Sequence, residues 1–313
     1  MNKKLPIISV VITNYNYGKF LNKSIRSVIA QTYKNIEIIL IDDCSTDNSK
    51  DIYEEFNKKI KIIEHKKNKG IVETRNEAID VTKGDFLCFL DADDYFDDDY
   101  IENLYRVLIK NEADIVYPNW RLFGNTNEKF IFDEFDEKKL QLQEIHITPA
   151  SLVRKSGIKN LRFESKEVAE DWDFFVRLSL LGVKFKVADN VFINYQIKDD
   201  SRGSRHKEIE DIKLFLDILN KIRKENKEIV SNEEFLLSKL KIKFDVIDKL
   251  ISALNDEKKS NIDKDIIIRD RNKAIRDLNK AIRDLNKAIE EITQSKTYKT
   301  ALKASNIIKK IKR

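Results

Sequence analysis

Glycine, proline and cysteine are scarce in this chain, which has 7 Gly, 3 Pro and 2 Cys among its 313 residues. Because charged residues make up 36% of the sequence, this composition predicts long helices and argues against flexible linkers. The two cysteines, Cys44 and Cys88, lack the spacing of a metal site. We interpret them as buried thiols of a protein from a reducing compartment.

Long apolar runs are also missing from the sequence. No stretch of about 18 apolar residues occurs, which excludes a membrane-spanning helix, and residues 1–6 lack the apolar segment of a signal peptide. We therefore expect a cytoplasmic protein. Hydrophobic residues still amount to 41%, which is enough for a substantial core in one large domain or two smaller ones.

The net charge of +5 is distributed unevenly along the chain. Residues 264–313 carry 15 Lys and Arg against 6 Asp and Glu, a net of +9, which leaves about −4 for the other 263 residues. An acidic body argues against a nucleic-acid-binding protein.

The last segment, 296–313, is basic and carries apolar residues at helical spacing. It predicts either an amphipathic helix in peripheral contact with the inner face of the cell membrane or a solvated tail.

Short apolar runs alternate with helical patterns through the first 120 residues. This β-α-β-α-β-α-β-α-β order predicts a mostly parallel sheet flanked by helices. The predicted strands are Ile7–Thr13, Ile36–Ile41, Ile60–Ile63, Phe86–Leu90 and Asp114–Tyr117. A later amphipathic helix is predicted from Glu170 through Leu181, and the chain is expected to turn helical again from about His206.

Three of the predicted strands end in polar or acidic residues, namely Thr13-Asn14, Asp42-Asp43 and Asp91-Ala92-Asp93. Because ligands of such folds bind at the carboxyl ends of the strands, we expect these side chains to converge. The carboxylates of an Asp-x-Asp segment suit Mg²⁺ or Mn²⁺, which commonly bind together with substrate phosphates. The alternative is an acidic loop that is only solvated.

The C-terminal third contains a heptad repeat. Asn-Lys-Ala-Ile-Arg-Asp-Leu occurs at 272–278 and again at 279–285. Ile at one core position and Leu at the other favour a parallel two-stranded coiled coil, and we expect a homodimer through 268–292. The alternative is a helix that packs against its own body. The expected segments are a body over 1–205, a helical extension over 206–262, a coiled coil over 263–295 and the basic tail over 296–313.

Five segments in order resemble the motifs of the family 2 glycosyltransferases. They are Val10–Asn16 with Ser27–Tyr33, Glu37–Asp47, Asn68–Gly70 with Thr74–Asn76, Leu90–Asp94, and Glu170–Trp172. The resemblance covers about residues 6–205 and implies a GT-A fold, with a nucleotide-sugar-binding half over 1–118 and an acceptor half over 119–205. Cys44 departs from the Gly that usually occupies this position, and Asn14 departs from the usual Ser, Thr or Pro.

The resemblance also implies roles for individual residues. Asp43 would accept a hydrogen bond from the N3–H of a uracil ring, and Thr13 and Tyr15 would line the same pocket. Asp93 would ligate Mn²⁺ or Mg²⁺. Asp91 would contact the ribose, or the metal through water.

Several other residues have two possible roles. Arg75 would contact the nucleotide or its phosphates, with a surface position on a helix as the alternative. Asp171 would be the general base of an inverting transfer, with helix capping as the alternative. Asp94 has either a direct role or a capping role. Arg202, Arg205 and His206 would approach the diphosphate or form a solvated loop. His65 and His146 are isolated in the sequence and are interpreted as structural.

The implied activity is a metal-dependent inverting transfer of a hexosyl or N-acetylhexosaminyl group. The donor would be a nucleotide sugar, with a UDP-sugar favoured. The acceptor would be a saccharide or lipid-linked saccharide of a bacterial surface glycan. One competing hypothesis is a sugar-phosphate nucleotidyltransferase, although residues 14–18 lack the Gly-rich phosphate loop of that class. Another is a non-catalytic scaffold organised by the coiled coil.

Overall fold

A computed structural model describes residues 5–158, 160–164, 169–197, 208–225, 229–232, 234–235 and 238–239. Within these residues, strands and helices alternate through the first half of the chain, as the sequence predicts. The strands are β1 (Ile8–Asn14), β2 (Ile36–Asp42), β3 (Lys61–Glu64), β4 (Phe86–Asp91), β5 (Ile115–Gly124), β6 (Lys129–Phe130), β7 (Leu152–Arg154) and β8 (Phe185–Ile197). The helices are α1 (Gly18–Ile29), α2 (Ser49–Glu54), α3 (Ile71–Val81), α4 (Tyr100–Lys110), α5 (Glu137–Gln141), α6 (Lys155–Ile158), α7 (Glu170–Ser179) and α8 (Glu208–Glu225).

The chain divides into two compact units. One unit combines Met1–His206 with Phe215–Ser231 and holds all the strands named above. The other combines Lys207–Leu214 with Asn232–Arg313 and lies almost wholly outside the described residues. The predicted coiled coil over 263–295 and the predicted tail over 296–313 therefore remain predictions from the sequence. In the described part of the chain, no helix is both long and apolar enough to span a membrane.

Strand β1 lies in the interior of the sheet, and every one of its residues is buried. It pairs in parallel with β2 on one side and with β4 on the other. An apolar, β-branched run is what a strand covered on both faces requires. The register places Thr13 opposite Asp91 and Asn14 opposite Asp42, so three strand ends lie side by side.

The complete sheet is mixed. Its path runs β3-β2-β1-β4-β7-β5-β6, and β8 pairs with β5. The pairs β1–β2, β1–β4, β2–β3 and β5–β8 are parallel, whereas β7 is antiparallel to both β4 and β5, and β6 is antiparallel to β5. The α/β fold is confirmed, and the sheet extends beyond the five predicted strands into the second half of the described body.

Helices α1 and α4 contribute their apolar faces to the same core. Leu21 and Ile25 of α1, like Leu104 and Leu108 of α4, are fully buried, as expected for amphipathic helices against a sheet. Gln31 connects the two helices, since its Nε2 donates to the Asp97 carbonyl at 2.7 Å and its Oε1 accepts from the Ile101 N–H at 2.9 Å. This packing fixes the residues that follow β4.

Candidate active site

The ends of the three central strands are joined by side-chain hydrogen bonds. Thr13 Oγ1 donates to Asp91 Oδ1 at 2.7 Å, and Asn14 Nδ2 donates to Asp42 Oδ1 at 2.6 Å. Asp42 Oδ1 also accepts the Ser45 hydroxyl at 2.6 Å, which shapes the turn after β2. The predicted convergence of Thr13, Asp42 and Asp91 at one edge is therefore found in the structure.

Arg75 of α3 lies beneath this edge and bridges two carboxylates. Its Nη2 is 3.1 Å from Asp91 Oδ1, and its Nη1 is 3.0 Å from Glu170 Oε1. The side chain is 2% exposed, so the reading of Arg75 as a surface residue is wrong. Burial lowers the pKa of Arg75, but the charges of Asp91 and Glu170 outweigh it and raise that pKa overall. A buried guanidinium held by two carboxylates orients both of them.

Asp171 lies next to this ion pair at the start of α7. Burial raises the pKa of Asp171 to about 6, and the negative charge of Glu170 acts in the same direction. Arg75 and the Trp172 N–H, which lies 2.7 Å from Asp171 Oδ1, oppose the rise. A carboxylate whose pKa lies near neutrality suits a general base.

The backbone before α7 is strained. Ala169, the residue that precedes Glu170, has φ 88° and adopts the left-handed conformation. Left-handed backbone is unfavourable for a residue with a Cβ atom, and such strain is concentrated at functional sites. The positive end of the helix dipole stabilises the acidic first turn. Asp173 of that turn pairs instead with Arg177 at 2.8 Å.

The turn after β4 gives its acidic residues different environments. Ala92 is fully buried, and its N–H donates to the Thr13 carbonyl at 3.0 Å. Asp94 is also buried and accepts the Gln196 N–H at 2.8 Å, which gives it a structural contact. Asp91 and Asp93 remain partly exposed.

The donor set of Asp91 and Asp93 fits a hard divalent cation. Mg²⁺ and Mn²⁺ bind oxygen ligands and commonly use one or two carboxylates, with substrate phosphates completing the shell. The described residues contain no group of three or more His, Cys, Asp or Glu side chains arranged to hold a metal by themselves.

Asp43 lies at the end of β2 in a dense set of contacts. Its carboxylate accepts the Lys69 N–H at 2.7 Å and the Gly70 N–H at 2.8 Å. His65 Nδ1 lies 2.7 Å from Asp43 Oδ1, and His65 Nε2 lies 3.0 Å from Glu77 Oε2. These contacts agree with the predicted structural role of His65, because its ring joins two carboxylates from different elements. Asp43 thereby holds the loop before α3.

The remaining predicted residues differ in their accessibility. Thr13 is buried, whereas Tyr15 in the loop after β1 is 45% exposed. His146 is not isolated, since its ring lies 5.7 Å from that of Trp120. Arg202, Arg205 and His206 lie outside the described residues.

Tyr195 of β8 belongs to this site but was not among the predicted site residues. Burial raises the pKa of its phenol, and the negative charges of Asp94, Asp91, Asp93 and Asp171 raise it further. The hydroxyl therefore stays protonated and is available as a donor. The only signal in the sequence was an aromatic residue in the predicted acceptor half, which does not distinguish a site from a core.

The structure thus brings together, at one edge of the sheet, the partly exposed acidic turn after β4, the buried Arg75 and the carboxyl of Asp171 with its raised pKa. The family model for glycosyl transferase family 2 matches residues 9–163. The chain is 30% identical over 210 residues to the glycosyltransferase GlyG of Streptococcus pneumoniae, and the match covers 60% of this chain and 70% of GlyG. The chain belongs to the family 2 glycosyltransferases.

Two further similarities agree with this assignment. The chain is 29% identical over 198 residues to WfaP of Escherichia coli, named as a UDP-Glc:α-D-GlcNAc-diphosphoundecaprenol β-1,3-glucosyltransferase, with 62% of this chain and 78% of WfaP covered. The fold is similar to that of S. aureus TarS 1–349 in complex with UDP-GlcNAc. That match has a TM-score of 0.61 at 19% identity, over 74% of this chain and 70% of TarS 1–349. The likeness to TarS supports the GT-A architecture.

Proposed function

We propose that this chain is a metal-dependent, inverting glycosyltransferase that transfers a hexosyl or N-acetylhexosaminyl group from a UDP-sugar. The acceptor is a saccharide or lipid-linked saccharide in the synthesis of a bacterial surface glycan. The observation that carries the proposal is the placement of Asp171. This carboxylate, with a pKa raised to about 6, lies beside the ion pair that connects Glu170 through Arg75 to the acidic strand end at Asp91.

Nucleotide binding is assigned to the edge formed by β1, β2 and the loop before α3. Asp43 accepts three hydrogen-bonding groups of the protein, and a carboxylate offers about four acceptor positions. One position remains for the N3–H of a uracil ring. We further propose that Thr13 and Tyr15 line the same edge and that Asp91 contacts the ribose. Arg75 is buried between Asp91 and Glu170, so its proposed part is to orient Asp91 and not to contact the nucleotide itself.

The transfer step requires one base. The acceptor hydroxyl attacks the anomeric carbon of the donor sugar while the bond from that carbon to the diphosphate oxygen breaks. Asp171 takes the hydroxyl proton, and UDP leaves with the bonding electron pair. A single displacement of this kind inverts the configuration at the anomeric carbon. Mn²⁺ or Mg²⁺ bound by Asp93 and Asp91 would neutralise charge on the leaving diphosphate.

Support for the donor and the acceptor comes from relatives. The name of WfaP specifies a UDP-sugar donor and a diphosphoundecaprenol-linked acceptor, and TarS was crystallised with UDP-GlcNAc.

We also propose that residues 268–292 form a dimer and that the basic segment 296–313 contacts an anionic membrane, where lipid-linked sugars are found. Flotation with anionic liposomes tests the latter, since binding that persists without 296–313 would refute it.

A thermal-shift panel tests the proposed donor. The panel contains UDP-glucose, UDP-GlcNAc, UDP-galactose and GDP-mannose, each with Mn²⁺, with Mg²⁺ and with excess EDTA. We expect at least one UDP-sugar to raise the melting temperature in the presence of metal, since a ligand that binds only the folded state stabilises it. GDP-mannose serves as the control for base recognition. An absence of stabilisation by every UDP-sugar would contradict the proposal.

A further inference from the structure

A cluster of aromatic rings is formed by residues of β5, β8 and the segments around them. Trp120 of β5 stacks on Tyr195 of β8, with 5.3 Å between ring centroids and an interplanar angle of 12°. Phe132 meets Trp120 edge-on at 5.6 Å, and His146 lies 5.7 Å from Trp120 at a tilt of 46°. Trp120 and Tyr195 are diagonal neighbours on one face of the β5–β8 pair. We call these four residues the aromatic platform.

The aromatic platform is partly accessible to solvent, unlike the core of the sheet. Residues 115–119 of β5 are buried, whereas Trp120 is only partly buried. Phe132 and Tyr195 are also partly buried, and His146 is exposed. Folding alone favours the burial of such large rings. Three partly exposed rings and an exposed imidazole side by side at the margin of the core form a surface on which a ligand can pack.

The aromatic platform adjoins the candidate active site. Gln196, the residue after Tyr195, donates its N–H to Asp94 at 2.8 Å. Asn194, the residue before Tyr195, exchanges two backbone hydrogen bonds of 3.3 Å with Tyr95. These contacts fix Tyr195 against the turn that carries Asp91 and Asp93. Burial is the main cause of the raised pKa of the Tyr195 phenol, and the negative charges of that turn and of Asp171 raise this pKa further.

We propose that the aromatic platform binds a pyranose ring of the acceptor, which packs against the exposed surface of Trp120 and Tyr195. A pyranose has an apolar C–H face, and its C–H groups pack favourably against the electron-rich face of an aromatic ring. Its hydroxyl groups project from the edge of the ring, where the Tyr195 hydroxyl and Asp171 provide polar partners. The inference rests on the proposed function, because it assigns this ring to the acceptor and not to the donor.

The position of the aromatic platform favours the acceptor over the donor sugar. The rings come from residues 120–195, whereas the contacts assigned to the nucleotide come mainly from β1, β2 and α3. The charge of Asp171, the proposed base for the acceptor hydroxyl, also raises the pKa of Tyr195. A sugar held on this surface places its hydroxyl groups next to the group that removes a proton.

Tryptophan fluorescence tests the inference directly. The chain has 2 Trp, so Trp172→Phe leaves Trp120 as the single reporter and Trp120→Phe leaves Trp172. The probes are methyl β-D-glucopyranoside and methyl N-acetyl-β-D-glucosaminide, with the open-chain polyol sorbitol as control. We expect a saturable change in emission with at least one glycoside in wild type and in Trp172→Phe, none with Trp120→Phe, and none with sorbitol. Tyr195→Ala is expected to weaken binding about 3- to 10-fold.

Saturation-transfer NMR on the full-length wild-type protein provides a second measurement that needs no variant. We expect irradiation of the aromatic protons to transfer saturation to the C–H protons of the glycoside ring. No transfer and no fluorescence change would overturn the inference. A response that persists in Trp120→Phe would overturn it as well, since the sugar would then bind elsewhere.

Two additional experiments distinguish failure of this inference from failure of the proposed function. A saturating UDP-sugar that blocks the glycoside response would assign the aromatic platform to the donor and overturn the acceptor assignment. Calorimetric titration of wild type with UDP and Mn²⁺ is run in parallel. UDP binding without a glycoside response refutes the platform alone, whereas a glycoside response without nucleotide binding refutes the proposed function.

Discussion

The guanidinium of Arg75 lies 3.0 Å from the carboxylate of Glu170, although 95 residues separate them in the chain. The same guanidinium pairs with Asp91 at 3.1 Å. One buried side chain thereby fixes the helix that carries the candidate base relative to the strand that carries the candidate metal ligands. The precision of the site depends on this bridge, because catalysis requires the reacting groups to be held in place.

Removal of the bridge is expected to destabilise the fold. Arg75→Ala removes the guanidinium that pairs with the buried carboxylate of Glu170, and loss of one partner of a buried ion pair costs about 3–5 kcal/mol. Urea unfolding followed by circular dichroism measures the change. Arg75→Lys retains the charge but not the two-pronged contact, so it provides a milder variant if Arg75→Ala does not fold.

An exposed arginine provides the matched control for this prediction. Arg106 of α4 pairs with Glu102 on the surface, and its side chain is 69% exposed. We expect Arg106→Ala to change the free energy of unfolding by no more than about 0.5 kcal/mol. Equal losses for Arg75→Ala and Arg106→Ala would show that the buried bridge has no special role in stability.

Neutralising Asp171 is expected to stabilise the protein at neutral pH. The pKa of this carboxyl is raised from 3.8 to about 6 in the folded state. Between these two pKa values the carboxyl is protonated in the folded protein and ionised in the unfolded chain, so the free energy of unfolding falls as the pH rises from about 4 to about 6. Above about pH 6 the carboxylate is ionised in both states, and the folded protein then bears the whole free-energy cost of burying its charge. Asp171→Asn removes this penalty, on the order of 1–3 kcal/mol.

Urea unfolding of wild type and Asp171→Asn at pH 7.5 and at pH 4 checks this prediction. We expect the variant to be more stable at pH 7.5 and the difference to shrink at pH 4, where both proteins are mostly neutral at this position. The carboxamide oxygen still accepts the Trp172 N–H, so the local backbone contact is retained. A variant less stable than wild type at pH 7.5 would refute burial as the cause of the raised pKa.

Activity is expected to depend on pH through the same group. As the proposed base, Asp171 removes a proton only in its ionised form, so kcat/KM for transfer should rise about tenfold per pH unit below 6 and level off above it. Initial rates of UDP release between pH 4.5 and pH 8 give the profile. A rate that is flat across this range would exclude Asp171 as the titrating base.

Replacement of Asp91 or Asp93 by Asn is expected to weaken nucleotide binding in both cases but to lower stability only for Asp91. Both variants should weaken Mn²⁺-dependent UDP binding at least about tenfold, because each removes a hard anionic ligand. Asp91→Asn should also lower stability by about 1.5–3 kcal/mol, since Asp91 accepts the Thr13 hydroxyl and pairs with Arg75. Asp98→Asn, an exposed change in the same acidic run, is the control. Nucleotide binding unaffected by either of the first two substitutions would disprove the metal assignment.

Cys44 offers a substitution that should stabilise the fold. Its φ of 66° is left-handed, a conformation that costs a residue with a Cβ atom about 1–2 kcal/mol relative to glycine. Glycine gains conformational freedom in the unfolded state, which offsets part of the benefit, so Cys44→Gly should add about 1 kcal/mol. Cys44→Ser keeps the Cβ atom and should give no gain. A thermal melt that ranks Cys44→Gly at or below wild type would contradict this reading of the turn.

The architecture of the first half follows closely from the sequence. The runs 7–13, 36–41 and 86–90 are apolar because their strands are covered on both faces, and their polar ends mark the ligand-binding edge. Strand β8 was not predicted. It contains exposed Asp189 and Asn190, and β5 has a register shift between Pro118 and Asn119, so the expected alternation is interrupted.

Long-range contacts account for most of what the sequence did not predict at the site. Asp171 and Arg75 were named from motifs, but nothing local indicates that Arg75 would be buried between Asp91 and Glu170. His65 looked isolated because Asp43 and Glu77 belong to different elements. Tyr195 and Trp120 carry no motif at all, and only the pairing of β5 with β8 brings them together.

Donor hydrolysis is the measurement that tests the central claim most directly. Under the proposed function, the donor sugar is transferred slowly to water when no acceptor is present, and UDP is released with Asp171 as the base. We expect wild type to release UDP from one of the UDP-sugars in the presence of Mn²⁺ or Mg²⁺, and excess EDTA to stop the release. We expect Asp171→Asn to be at least about 100-fold slower while it still binds UDP. Release by Asp171→Asn at the wild-type rate would contradict the account, as would no release from any UDP-sugar by the folded wild type.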